Sequence, residues 1–341
     1  MANTKKITNI NVGRRALETE GIENNWESLD INNFTPSQNA NVFIFGGNTT
    51  NSTATANGNA KIIQNLIDPQ NLSQTNIYSF YYNSETLSNA NYLNKPYEED
   101  AIKIFNKIFK PMIYDKKGNI KSLKGIEEVF NKMVLTAHCA GANFAEIIIN
   151  KYHETLKENF AEATAKFLVN KIQYFAYAPN VIPEHNVKGL YITPFADNHG
   201  GSWGKALSTA EEKGIYTDYP KGVVKKLLKA KYKNDFENAC ASEFKQNRAF
   251  MFKIGNSTFI TPSAMNPNIS IGDHTIECIS KPHILKSGTD LELTAQIVNF
   301  ASRLYFNEFL NKNLLDTKGS FTRVADAISQ LPPIAQNTIS K

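Results

Sequence analysis

The chain reads as an α/β protein: a mostly parallel central sheet with helices on both faces. Three observations carry this reading. Short apolar runs at 42–45, 76–82, 133–138, 173–178 and 189–196 have the length and composition of buried strands. Segments with apolar residues at helical spacing separate the earlier ones, and strands alternating with such helices imply parallel pairing through helical crossovers. Turn-forming or small residues follow the strands: Gly46-Gly47-Asn48, Cys139-Ala140-Gly141, Pro179-Asn180 and Asp197-Asn198-His199-Gly200-Gly201. Ligands of such sheets sit beyond the carboxyl ends of the strands, which is where Gly46, Cys139, Asn180 and Asp197 fall.

Composition bounds the answer. With 341 residues, 41% of them apolar, the chain can bury a sizeable core. The net charge of +5 is small for this length and mixed in sign, which implies no nucleic-acid partner. No apolar run is long enough to span a membrane, so no integral membrane segment is expected. The first residues, Met1-Ala2-Asn3-Thr4-Lys5-Lys6-Ile7, lack the apolar stretch of a secretory signal; a cytoplasmic location is expected, although specialised secretion would leave no such mark. Cys139, Cys240 and Cys278 are odd in number and widely spaced, which suits a reducing compartment. None forms a C-x-x-C pair, and the reading calls for no metal and no cofactor.

In chain order, residues 1–40 are polar and Asn-rich, an irregular lead-in or sheet edge whose strand candidate is 7–12. The strand at 42–45 ends in the glycine turn, a polar loop covers 51–60, and a helix is expected over 61–67. After the strand at 76–82, Glu98-Glu99-Asp100 open a helix with acidic residues at its positive end. Ile102, Phe105, Ile108 and Phe109 form its core stripe, and Pro111 ends it. The strand at 133–138 runs straight into a helix, and the strands at 173–178 and 189–196 follow. Residues 202–248 break the rhythm, with a helix from Lys221 carrying Val224, Leu227 and Leu228 on one face. Lys221, Lys225, Lys226, Lys229, Lys231 and Lys233 crowd the remainder, a solvated face that also suits peripheral membrane contact. Residues 250–254 and 258–260 flank Gly255-Asn256-Ser257 as a strand pair with a tight turn. Thr289-Asp290 cap a long helix with an apolar stripe of Leu293, Ile297, Ala301, Leu304, Tyr305 and Phe309.

The informative stretch is Ala137-His138-Cys139-Ala140-Gly141. A strand-to-helix joint exposes one nucleophile only if its flanking positions are small, because that residue sits in strained backbone geometry. Ala137, Ala140 and Gly141 meet this requirement. A helix starting at Ala140 aims its unpaired N–H groups and positive dipole end at Cys139, favouring the attacking, anionic form of the sulfur. This joint resembles the nucleophile elbow of the α/β-hydrolase superfamily, G-x-S-x-G, with its lipase and esterase variant G-H-S-x-G. Cys139 replaces serine, as in the dienelactone-hydrolase-like branch, and Ala137 replaces the first glycine. Phe45-Gly46-Gly47 is similar to the H-G-G loop of esterases, with Phe45 in place of histidine.

The resemblance implies an oxyanion hole formed by the N–H groups of Ala140 and Gly47. It also implies a chain order of nucleophile, acid, base. His274, in a glycine-led loop after the last strand, suits the base, with His283 and His199 as alternatives. Asp197 suits the orienting acid, with Asn180 as a neutral alternative. His138 is expected to point away from Cys139. The domain reading is a lead-in over 1–40, an α/β-hydrolase-like domain over 41–317 with a lid-like insert at 202–248 before the last strand, and a tail over 318–341. The implied activity is hydrolysis or acyl transfer at an ester, thioester or lactone carbonyl of a small-molecule acyl or lipid-like substrate, through a Cys139 acyl intermediate. The alternative is a catalytically silent α/β-hydrolase-like binding protein of the virulence-type interaction class.

Overall fold

A computed structural model describes residues 11–15, 26–35, 39–47, 50, 52–81, 96–194, 249–262, 276–279 and 290–310. Nine described strands form one sheet: β1 (Asn11–Arg15), β2 (Trp26–Leu29), β3 (Ala40–Phe45), β4 (Thr75–Tyr81), β5 (Met133–His138), β6 (Gln173–Tyr177), β7 (Lys188–Ile192), β8 (Ala249–Ile254) and β9 (Ser257–Pro262). Their order is β2-β1-β4-β3-β5-β6-β7-β9-β8. The run from β4 to β9 is parallel, and antiparallel pairs close both edges.

Strict alternation along the strands sends residues to two cores. Phe43, Phe45, Leu135, Ala137, Tyr174 and Tyr191 face one side, and Val42, Ile44, Val134, Phe175 and Ile192 the other. The first side is covered by α3 (Pro96–Ile104), α4 (Leu123–Phe130), α5 (Gly141–Lys157) and α6 (Glu162–Val169). The second is covered by α1 (Thr53–Gln64) and α7 (Asp290–Leu310), with the short α2 (Pro69–Leu72) after α1. Buried Asn307 joins α7 to the α1–α2 link: its Oδ1 accepts from the Asp68 N–H at 2.8 Å and its Nδ2 donates to the Leu66 carbonyl at 3.1 Å. The Arg303–Asp68 ion pair at 2.7 Å lies on the exposed side of the same junction.

Several expectations shift. The described part of the lead-in is the sheet-edge alternative: β1 pairs with β4 and overlaps the expected strand at Asn11 and Val12, β2 (Trp26–Leu29) adds an outer strand, and residues 7–10 lie outside the described residues. Residues 53–60 are helix, not loop, because the Ser52 hydroxyl accepts from the Thr55 N–H and starts α1 eight residues before Lys61. The helix containing Phe105 leaves regular α geometry at Ile104. A wide π-type turn (Phe105–Phe109) and a 3₁₀ turn (Lys110–Ile113) containing Pro111 follow. The widened turn leaves the Phe109 carbonyl open to the buried Tyr152 hydroxyl of α5, which donates to it at 2.9 Å. α4 and α6 are additional to the expected elements. The expected insert at 202–248, including the helix expected from Lys221, and the tail at 318–341 lie outside the described residues.

The β6-to-β7 connection has no helix. Ala178 to Val187 carries the chain between two parallel neighbours as an irregular segment, unlike the helical crossovers from β3 to β4, β4 to β5 and β5 to β6. Val181, Ile182 and Val187 bury it against the same core as α5. The hairpin β8–β9 turns at Gly255, whose φ of 58° requires the missing β-carbon, and Asn186 braces the turn by accepting from the Asn256 N–H at 2.7 Å.

Candidate active site

The sheet reverses its direction of growth at β3, which has β4 on one side and β5 on the other. This is the switch point where open α/β sheets form their ligand crevice. Beyond the carboxyl ends of these two strands lie Gly46-Gly47 and Cys139. β5 ends at His138, α5 begins at Gly141, and Cys139 between them has φ 52°. A side chain with a β-carbon holds that conformation at a cost of about 1–3 kcal/mol. Local hydrogen bonds offset it. The Cys139 N–H donates to the Tyr177 carbonyl at 3.2 Å, and the Cys139 carbonyl accepts from Ala142 at 3.2 Å and from Asn180 at 3.3 Å.

The small flanking residues have identifiable tasks. A β-carbon on Gly141 would fall onto the Phe45 carbonyl, so glycine lets α5 start directly against the end of β3. Phe45 is itself fixed there, its ring stacked on Phe80 with centroids 4.6 Å apart and facing Phe144 of α5 at 6.1 Å. A β-carbon on Gly47 would lie 3.1 Å from the Cys139 Cβ and 3.3 Å from the His138 Nδ1. Gly47 therefore sits across from the elbow, as expected. Its loop is held by the Thr50 N–H, which donates to the Gly47 carbonyl at 3.0 Å, and by Asn59, whose Nδ2 donates to the Thr50 Oγ1 at 3.3 Å.

Ala140 caps α5 with no side-chain hydrogen bond. Ala140 is fully buried, and the N–H groups of Ala140 and Gly141, at the start of the helix, have no intrahelical acceptor. The start of a 17-residue helix is the positive end of its dipole, where negative charge is favoured. Cys139, directly before it, is 3% exposed.

The structure thus brings Cys139, Ala140, Gly47 and Asn180 together. Asp197, His199, His274 and His283 lie outside the described residues. The His138 ring lies beside Gly47, its Nδ1 3.3 Å and its Cε1 3.5 Å from where a β-carbon on the glycine would sit. The imidazole is thus part of the wall around the elbow. The Oδ1 of Asn180 lies 3.9 Å from the Cys139 Sγ. His153 sits about 18 Å along α5 from its start, with its ring 4.4 Å from that of His185 and its Nε2 3.1 Å from Glu162 Oε1. Burial, reinforced by the charge of His153, lowers His185 to about 4.

Sequence reasoning missed Asp100, read as one of three helix-opening acids. It is 8% exposed, and burial raises its carboxyl to about 6 against the opposing pull of Lys103. Its position one residue before the buried Ala101 and four before the buried Ile104 was the available signal. Among the described residues no group of three or more His, Cys, Asp or Glu side chains is arranged to hold a metal ion, and no helix is long and apolar enough to cross a membrane. Comparison with protein-family models and with curated proteins finds no match.

Proposed function

We propose that the protein is an α/β-hydrolase-type enzyme that attacks an ester, thioester or lactone carbonyl through Cys139, completing hydrolysis or acyl transfer. The observation that supports this best is Cys139 at φ 52° directly before the first N–H groups of α5. A left-handed non-glycine residue between a buried strand and a buried helix is strain that ordinary packing has no reason to retain.

In the first step the Cys139 thiolate adds to the carbonyl carbon and the carbonyl oxygen takes the electron pair. The Ala140 N–H and the Gly47 N–H stabilise that oxyanion. Collapse of the adduct leaves the acyl group on Sγ and expels the leaving group, protonated by the imidazole of His274, with Asp197 orienting the ring. In the second step water or another acceptor attacks the thioester and regenerates the thiol. The substrate class is a small acyl or lipid-like compound.

Incubation with an activated ester or thioester, followed by intact-mass and peptide mass spectrometry, tests this. An acyl adduct on Cys139 that is absent from Cys139→Ala is the expected result. Absence of adduct and turnover across ester, thioester and lactone probes would turn the reading to a catalytically silent binding protein, which the 3% exposure of Cys139 favours.

A further inference from the structure

Two residues with β-carbons adopt left-handed backbone among the described residues, and they end neighbouring strands. Cys139 (φ 52°) follows β5 and Ala178 (φ 45°) follows β6. His138 is in register with Tyr177, so the two strained residues are the next pair along. Ala178 also precedes Pro179, a setting that favours extended backbone. Its conformation is imposed from outside, by its N–H donating to the Ile192 carbonyl at 2.8 Å and by the turn that follows. That turn folds Asn180 over the elbow. The Asn180 N–H reaches the Cys139 carbonyl at 3.3 Å, and its Oδ1 accepts from the Cys139 Sγ at 3.9 Å.

We infer that Asn180 is the side chain that positions the Cys139 sulfur and stabilises its anionic form. This deepens the nucleophile reading and rests on it for catalytic meaning, although the contact itself exists without turnover. A side-chain amide carries an acceptor and two donors in one plane. With the thiol protonated, Oδ1 accepts from S–H. When the proton passes to the base, a half-turn about the last side-chain bond presents Nδ2–H to the sulfur anion, a charge-assisted hydrogen bond. A carboxylate here would repel the anion, and an aliphatic side chain would leave it to the helix start alone. The neutral amide serves both protonation states. The strain at Ala178 places it there.

Iodoacetamide labelling of Cys139, quantified by peptide mass spectrometry from about pH 5 to about pH 9, reads the anionic sulfur directly. Asn180→Asp is isosteric and sets a like charge beside the sulfur. Labelling near neutral pH is expected to slow about tenfold or more, with the whole profile displaced to higher pH. Asn180→Ala deletes the amide but keeps the backbone hydrogen bond; it is expected to slow labelling about threefold to tenfold, displaced in the same direction. If Asn180→Asp does not fold, Asn180→Ala decides the matter alone. Unchanged profiles, or an equal loss of rate at every pH as looser packing would produce, overturn the inference. Displaced profiles without any acyl adduct in the parent protein keep the Asn180 role and remove the hydrolase reading. Acyl adducts with undisplaced profiles do the reverse.

Discussion

Gly141 meets Phe45 so closely that a β-carbon on the glycine would take the place of the phenylalanine carbonyl. The contact joins the first residue of α5 to the last residue of β3, and everything at the elbow depends on it. Gly141→Ala must therefore push helix and strand apart. It is expected to cost about 2 kcal/mol or more in denaturant melts, with loss of adduct formation at Cys139. Gly47→Ala meets the Cys139 Cβ at 3.1 Å and the His138 ring at 3.3–3.5 Å, tight contacts with side chains and not with backbone. It should cost about 1 kcal/mol, less than Gly141→Ala, yet slow the proposed acylation about tenfold to a hundredfold, because the new methyl would intrude where the proposed oxyanion forms. Equal effects of the two substitutions on stability and rate would contradict this assignment.

Labelling order separates chemistry from access. Cys139 is 3% exposed and Cys278 is 9% exposed, so access alone places Cys278 first. A sulfur directly before the first N–H groups of a helix should instead react first, and Cys139 is expected to be alkylated at least about tenfold faster than Cys278 at neutral pH. Time-resolved peptide mass spectrometry gives the order in one experiment.

Asp100 should make the protein less stable as pH rises. Its carboxyl is raised from 3.8 to about 6 by burial, so the folded state holds a proton that the unfolded chain has released. The resulting penalty is absent below pH 3.8, grows through the window to 6, and is complete above it. Asp100→Asn is expected to stabilise by about 1–2 kcal/mol at neutral pH and by little in acid. Urea midpoints measured at both pH values check the difference.

His185 acts in the opposite sense. Its ordinary value of 6.5 falls to about 4, by burial first and then by the facing His153 and by Lys166, with Glu184 and Glu162 opposing. Between these values the unfolded chain binds the extra proton, so the His185 contribution is intact above 6.5 and lost as pH falls towards 4. His185→Gln is expected to flatten that acid limb. The two substitutions should change the slope of stability against pH in opposite directions.

The sheet and the elbow were legible because both are written in composition. Apolar runs bounded by Gly, Pro and Asn mark strands wherever both faces are buried, and β3 to β7 are of that kind. A tight joint demands small residues, and Ala137, Ala140 and Gly141 announce it. α1 was hidden because Thr, Asn and Gly over 53–60 are weak helix formers, and the Ser52 cap supplies what propensity lacks. Asn180 was legible as a polar residue at a strand end but not as a neighbour of the sulfur. That meeting depends on the backbone of Ala178, and alanine carries no sign of a left-handed turn. The sulfur contact and the orientation of His138 arise from three strand ends brought side by side, which no single stretch contains.

The ties made by Asn307 carry a consequence for synthesis. Asp68 and Leu66 wait for a partner 239 and 241 residues further along. The β-strand face bearing Ile44, Val134 and Phe175 is covered in large part by α7. As the chain leaves the ribosome, α5 can seat the elbow on its own face early, but the part of the opposite face that α7 covers stays bare until Leu310 has emerged. At translation speeds of about 5–20 residues per second, that leaves an apolar surface open for seconds after the elbow strand appears. A nascent chain stalled before α7 is therefore a natural client for chaperones, and release from them should coincide with the docking of Asn307.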